Sequence, residues 1–245
     1  PASVGPAVRA ARAERPRCVG VPYRLMATER MPAPATAVDW GAPTTASPWS
    51  DAPARDALHT PPNEFVAEVA AAMPPGKALD LGCGDGTESV WLAQRGWVVN
   101  AIDPSAGAID EARGRAEAAG VERTIVYEVA RLGDWRPTSR YDLVFCTMSL
   151  PARGMGRSRT LENVAEAVTP GGTVILSELD RSLRREGWMA EKYLTSTEEL
   201  ERALDGFRIE RSGVRMARYR HGYDERVLPV ALVVATRRTD LRSRY

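Results

Sequence analysis

The chain has little of what many enzymes use to move protons or hold metals. Of its 245 residues two are histidine, His59 and His221, and three are cysteine, Cys18, Cys83 and Cys146. The cysteines stand far apart with no C-x-x-C spacing, which argues against a zinc site or a disulfide framework and fits a reducing compartment. With histidine confined to a tail and a late loop, a His-centred triad has poor material. No apolar run approaches the roughly 18 residues that cross a bilayer, and no charged-then-apolar leader opens the chain, so a soluble cytoplasmic protein without a membrane partner is expected. Charge of one sign is also lacking. The 33 basic and 32 acidic residues leave +1, no global field with which to gather nucleic acid. Lysine occurs only at Lys77 and Lys192, and the scattered arginines that replace it form no patch.

Proline is unevenly spread. Of its 18 copies, 11 precede Glu64 in a stretch rich in Ala, Arg, Ser and Thr with almost no periodic apolar face, so residues 1–60 are expected to be a disordered segment and residues 61–245 one folded domain.

From Pro61 onward helix and strand patterns alternate. Phe65, Val66, Val69 and Met73 fall at helical spacing before the Pro74-Pro75-Gly76 break. Strands are predicted at Ala78 to Leu81, Val98 to Ile102, Thr124 to Val129, Tyr141 to Cys146 and Thr173 to Glu178. Helices are predicted between them at Thr87 to Arg95, Ser105 to Ala119 and Thr160 to Val168. A Thr169-Pro170-Gly171-Gly172 turn should precede the fifth strand. A further helix opens at Thr195 or Ser196, with Glu198 or Glu199 placed for a capping box. Phe207 to Met216 and Leu228 to Thr236, joined through YRHGYDE, read as an antiparallel hairpin. The fold class is therefore α/β: a doubly wound, Rossmann-like, mostly parallel seven-stranded sheet with a C-terminal antiparallel hairpin.

The chemistry concentrates at LDLGCGDGT, Leu79 to Thr87, where three glycines alternate directly after a strand and open a helix. Such a turn offers backbone N–H groups and close approach to a nucleotide-like ligand. A dinucleotide fingerprint needs G-x-G-x-x-G, and Thr87 stands where its third glycine belongs, which counts against NAD. Asp103 ends the next strand, placed to accept hydrogen bonds from both hydroxyls of a ribose.

ALDLGCGDG, YDLVFC, AVTPGGTVIL and the terminal hairpin together resemble the class I S-adenosylmethionine-dependent methyltransferases, over about Pro61 to Arg238. The resemblance implies S-adenosylmethionine as cofactor. It places Asp80 toward the methionine end, the backbone of Gly82, Cys83, Gly84 and Gly86 against the carboxypropyl and ribose portions, and Asp103 with Pro104 at the sugar. The adenine side would be lined by Arg131 and Leu132, and the floor by Cys146 and Thr147. Within the superfamily, the stretch from Pro62 to Arg113 looks most like small-molecule methyltransferases akin to tellurite-resistance and thiopurine-type enzymes.

Two positions depart from the pattern. Arg131 stands where relatives commonly place an acid for the adenine amino group, and it cannot accept a hydrogen bond. Asp134 or the backbone near Leu132 is the substitute. Ser149 stands where relatives often show histidine, so no general base is evident. Cys83, between two glycines, reads as a small packed residue, Trp91 and Trp97 as core, and Arg215, Arg218 and Arg220 as a solvated edge. No catalytic residue is assigned and no metal is expected. The reading is methyl transfer to a small-molecule acceptor, with contacts from Trp49 to Asn63, Thr147 to Arg153 and residues 179–193. A catalytically inactive binding or scaffold protein of the same fold, and a nucleotide-dependent oxidoreductase, are the alternatives.

Overall fold

The computed structural model describes residues 61–186, 190–221 and 224–239; the expected disordered segment 1–60 lies outside them, as does the Trp49 end of the first acceptor segment. The described chain opens with helix α1 (Glu64–Ala71), started by Asn63, whose side chain accepts from the N–H groups of Phe65 and Val66. Then follow β1 (Lys77–Leu81), α2 (Thr87–Ala93), β2 (Val98–Asp103), α3 (Ala106–Ala118), β3 (Ile125–Val129), β4 (Tyr141–Thr147), α4 (Arg157–Ala167), β5 (Val168–Leu179), α5 (Thr197–Arg202), β6 (Phe207–His221) and β7 (Asp224–Arg237).

The seven strands form one sheet in the order β3-β2-β1-β4-β5-β7-β6. Pairings from β3 through β5 are parallel, and β7 pairs antiparallel with both β5 and β6, so β7 alone runs against the rest. Side-chain alternation along the strands feeds two cores. Phe145 and Ile175 join Val66, Val90 and Ile109 of α1 to α3 in one, while Val144, Cys146 and Leu176 join Leu161, Val164 and Leu200 of α4 and α5 in the other. A strand covered on both faces cannot alternate polar with apolar, which is why β4 is a near-continuous apolar run and β5 is apolar on consecutive residues from Val174 to Leu176. The order reverses beside β1, with β2 on one side and β4 on the other. That switch point opens a crevice at the carboxyl ends of the strands, where the glycine turn lies.

Three local expectations are corrected. Val168 already pairs with Tyr141, so the Pro-Gly-Gly stretch sits inside β5 as an irregularity, with the register shifting before Leu143 meets Thr173. The YRHGYDE loop is mostly strand: β6 and β7 stay paired to His221↔Asp224, because Ala217 and Tyr219 turn inward on either side of the exposed Arg218 and continue the alternation. Helix α5 has Ser196 as N-cap but no side-chain cap bond, and of the two glutamates Glu199 pairs with Arg153 and Arg157 while Glu198 accepts from the Ser196 side chain.

Candidate active site

The glycines of the turn serve different neighbours. Gly82 has φ +82°, and a Cβ there would land 2.2 Å from Ser149 Cβ, so the missing side chain makes room for protein. At Gly86 a Cβ would meet Ala112 of α3 at 2.7 Å. Gly84, with φ +52°, has nothing within 4 Å of such an atom, and it is here that the backbone lies open to a ligand. The turn is held from beneath by Ile102, whose carbonyl accepts from the N–H groups of Gly82 and Cys83, and by the Gly86 N–H donating to Cys83 O.

Asp103, at the tip of β2, stands beside the open glycine. One carboxylate oxygen accepts from Gly84 N at 3.0 Å and the other from Ser105 N at 2.8 Å. An ionised carboxylate has about four acceptor positions, so each oxygen keeps capacity for one more donor, the requirement for a pair of vicinal hydroxyls. Pro104 follows it, exposed. Asp80 is buried on the α2 side of the sheet, accepting from Ser89 Oγ at 2.7 Å, and Glu88 accepts from the Asn63 N–H. Burial pushes the carboxyls of Asp80, Glu88 and Asp103 above their ordinary range; for Asp80, Glu88, Asp103 and Asp85 add to it as neighbouring negative charges. Burial likewise drives the Cys83 and Cys146 thiols upward, which keeps them protonated and removes them as nucleophiles.

Sequence reasoning missed Arg115. Its Nε donates to the Asp85 carbonyl at 2.9 Å and its Nη2 meets the Asp85 carboxylate at 2.5 Å, tying the glycine turn to α3. The signal was present: Ala108, Ile109, Ala112, Arg115 and Ala116 form the buried stripe of α3, and one of the five is charged.

Beyond β4 the chain is tightly fixed. Thr147 pairs with Ser177 across the sheet, and Met148 takes the left-handed conformation at φ 55° with its N–H donating to Ser177 O at 2.7 Å. Ser149 Oγ donates to Leu81 O at 2.7 Å and lies 3.2 Å from Cys146 Sγ, while Leu150 N donates to Glu178 Oε1 at 3.3 Å. Glu178 is buried at the end of β5, and desolvation raises its carboxyl to about 8. Behind it Arg157, also buried, donates to the carbonyls of Pro151, Tyr193 and Leu194, fastening the 190s segment over this end of the sheet. Among the described residues, the hydroxyls of Ser177, Tyr193 and Thr195 are buried without a hydrogen-bond partner.

Arg131 and Leu132 part company: Leu132 is buried, Arg131 exposed. Asp134 lies on the same turn, its N–H donating to Arg131 O, and with Arg131 it lines a cavity of about 310 Å³ shared with Gly133, Met155, Gly156 and Arg159. The structure thus brings Gly84 and Asp103 together directly, places Asp80 beneath the turn and sets Cys146 in the core under Ser149. Among the described residues no cluster of His, Cys, Asp or Glu suits a metal ion, and no helix is long and apolar enough to cross a membrane.

Against known proteins, residues 78–172 match the family described as a methyltransferase domain. A ubiquinone biosynthesis O-methyltransferase of Cronobacter sakazakii is 32% identical over 120 residues, 49% of this chain and 49% of that protein. The chain spans about half the length of the curated relatives it matches. Among solved structures, one described for the conversion of a disulfide bond into a thioacetal group during echinomycin biosynthesis aligns with TM-score 0.62 at 22% identity, over 80% of this chain and 89% of that one. TehB from Haemophilus influenzae aligns with TM-score 0.60 at 17% identity, over 71% of this chain and 62% of that one. At these identities the structural likeness is one of fold.

Proposed function

We propose that this chain is a class I S-adenosylmethionine-dependent methyltransferase, in keeping with its match to a methyltransferase domain over residues 78–172 and its likeness to named methyltransferases, and that it transfers a methyl group from S-adenosylmethionine to a small-molecule nucleophile. The observation that carries the reading is the open backbone at Gly84 beside a carboxylate, Asp103, with spare acceptor capacity on both oxygens. Asp103 would hold the ribose hydroxyls, Gly82 to Gly86 would run along the amino-acid portion, and Pro104 and Leu132 would flank the base.

When bound, S-adenosylmethionine supplies a methyl already activated by its cationic sulfur. The protein is then left to orient the acceptor and exclude water, worth up to ~7–11 kcal/mol for ideal alignment. The residues present agree with that division of labour. Neither thiol near the turn is ionised, and Ser149 has its proton committed to Leu81 O. An acceptor that is itself a good nucleophile needs least help from such a site. A thiol is the first class to screen, in keeping with the sulfur chemistry named for one structural neighbour, and a phenol the second, in keeping with the ubiquinone O-methyltransferases. The +1 net charge favours a small molecule over nucleic acid.

Calorimetric titration with S-adenosylmethionine and S-adenosylhomocysteine, on the wild type and on Asp103→Ala, tests the reading. Micromolar binding that weakens at least ~10-fold in the variant supports it, about 1.4 kcal/mol or more for the lost hydrogen bonds. A folded wild type that binds neither compound overturns it in favour of a scaffold without chemistry.

A further inference from the structure

Ser149 occupies the place where the cofactor turn and the acceptor-side segment meet. Its Cβ fills the space a side chain at Gly82 would need, and its hydroxyl donates to the carbonyl of Leu81, the last residue of β1. The ladder between β1 and β4 ends one residue earlier, at Asp80↔Phe145, so this side-chain bond continues the strand pairing into the two loops. With the serine proton spent on Leu81, the Cys146 thiol, 3.2 Å away, is left to donate to Ser149 Oγ. The resulting chain runs from Cys146 through Ser149 to Leu81, across the end of the sheet.

The neighbours of Ser149 are held independently. Met148 N–H is bound to Ser177 O and Leu150 N–H to Glu178, and Met148 keeps a left-handed conformation that a non-glycine residue retains only where its surroundings impose it. The segment therefore has three backbone anchors on β5, the Ser149 N–H on Glu178 included, and one side-chain anchor, through the Ser149 hydroxyl, on β1. Removing the β1 anchor leaves a segment that is still attached but no longer registers what happens at the glycine turn.

We infer that Ser149 is a positioning residue that locks the segment after β4 to the glycine turn, so that cofactor binding and order on the acceptor side are one equilibrium. The inference rests on the proposed methyltransferase reading for the identity of the two loops, and on the geometry alone for the lock. A serine here replaces the proton acceptor that a histidine would supply with a fixed mechanical link, and occupancy of one loop is felt at the other.

Hydrogen exchange followed by mass spectrometry on the full chain, wild type against Ser149→Ala, tests it in two arms. Without ligand, the alanine variant is expected to speed exchange by roughly threefold or more in residues 82–86 as well as in 147–150, with the melting temperature lower by no more than about 4 °C for the one lost hydrogen bond. Faster exchange confined to 147–150 overturns the lock, whether or not any cofactor binds. With S-adenosylhomocysteine, the wild type is expected to gain protection in both segments and the variant in 82–86 alone, with affinity lower by about 3–10-fold. Protection of both segments in the variant to the wild-type extent overturns the coupling. A wild type that binds no S-adenosylhomocysteine instead overturns the proposed function, and the cofactor half of the inference with it.

Discussion

Glu178 titrates in the sense opposite to most structural acids. Its carboxyl is raised from 4.5 to about 8 by desolvation, so between those values the folded protein keeps a proton that the unfolded chain has released. Its contribution to stability is complete below about pH 4.5, declines as pH rises through the window and is gone above about 8. Glu178→Gln, which imitates the protonated form, is expected to melt with the wild type at pH 5 and several degrees above it at pH 8.5, a difference of roughly a few kcal/mol. Equal melting points at both values would mean that Glu178 is ionised in the fold at neutral pH. Arg131 gives the second residue-scale expectation: Arg131→Asp supplies the missing acceptor on the adenine side and should tighten S-adenosylhomocysteine by about 3–10-fold in calorimetry. Residues that act by contact with their own strand or turn were legible in the sequence, Asp103 and the glycine turn among them. The partners of Ser149 and Arg115 were not, because Leu81 lies 68 residues away from the first and Asp85 lies 30 residues away from the second.

At the level of elements, α3 and the glycine turn form one unit through Arg115. Loss of the buried guanidinium in Arg115→Leu removes the donors to the Asp85 carbonyl and to Asp85 Oδ2, while Oδ1 keeps Thr87, and should cost about 1–3 kcal/mol in urea denaturation, with cofactor affinity falling in parallel. Asp85 is 46% exposed on its side chain, which keeps the loss below that of a fully buried pair. A cycle joining Gly82 and Ser149 belongs here too. Gly82→Ala should destabilise the wild type by about 1 kcal/mol or more beyond its cost in a Ser149→Gly background, where the clash at 2.2 Å is absent, while the strain of φ +82° is common to both. The sequence marked each element correctly in kind, since apolar spacing and Gly or Pro breaks set most ends within two residues. It erred where a distant partner decided the outcome: Glu199 prefers two arginines to its own helix cap, and β6 continues through arginine-rich residues because its other face is buried.

For the whole molecule, alternation of strand and helix made the doubly wound sheet legible, and the final antiparallel pair separated it from a dinucleotide-binding arrangement. The position of β7 inside the sheet, between β5 and β6, was not legible, because two apolar strands near the end of a chain carry no mark of which one lies inward. That placement makes the hairpin part of the core. A chain stopped after Gly206 leaves the inner edge of β5 bare, and is expected to lose its cooperative thermal transition by circular dichroism and to pass into the insoluble fraction. A soluble, cooperatively melting fragment would show that the five parallel strands and their helices suffice.

The same arrangement sets an order of events during synthesis. Every parallel strand and both helical layers leave the ribosome before β7, yet β5 pairs with residues 230–236, made after all of them. At ~5–20 residues per second, the growing chain carries an apolar strand edge unpaired for several seconds. The hydrogen-bonding groups of β5 are then open to any other extended segment until β7 slides between β5 and β6.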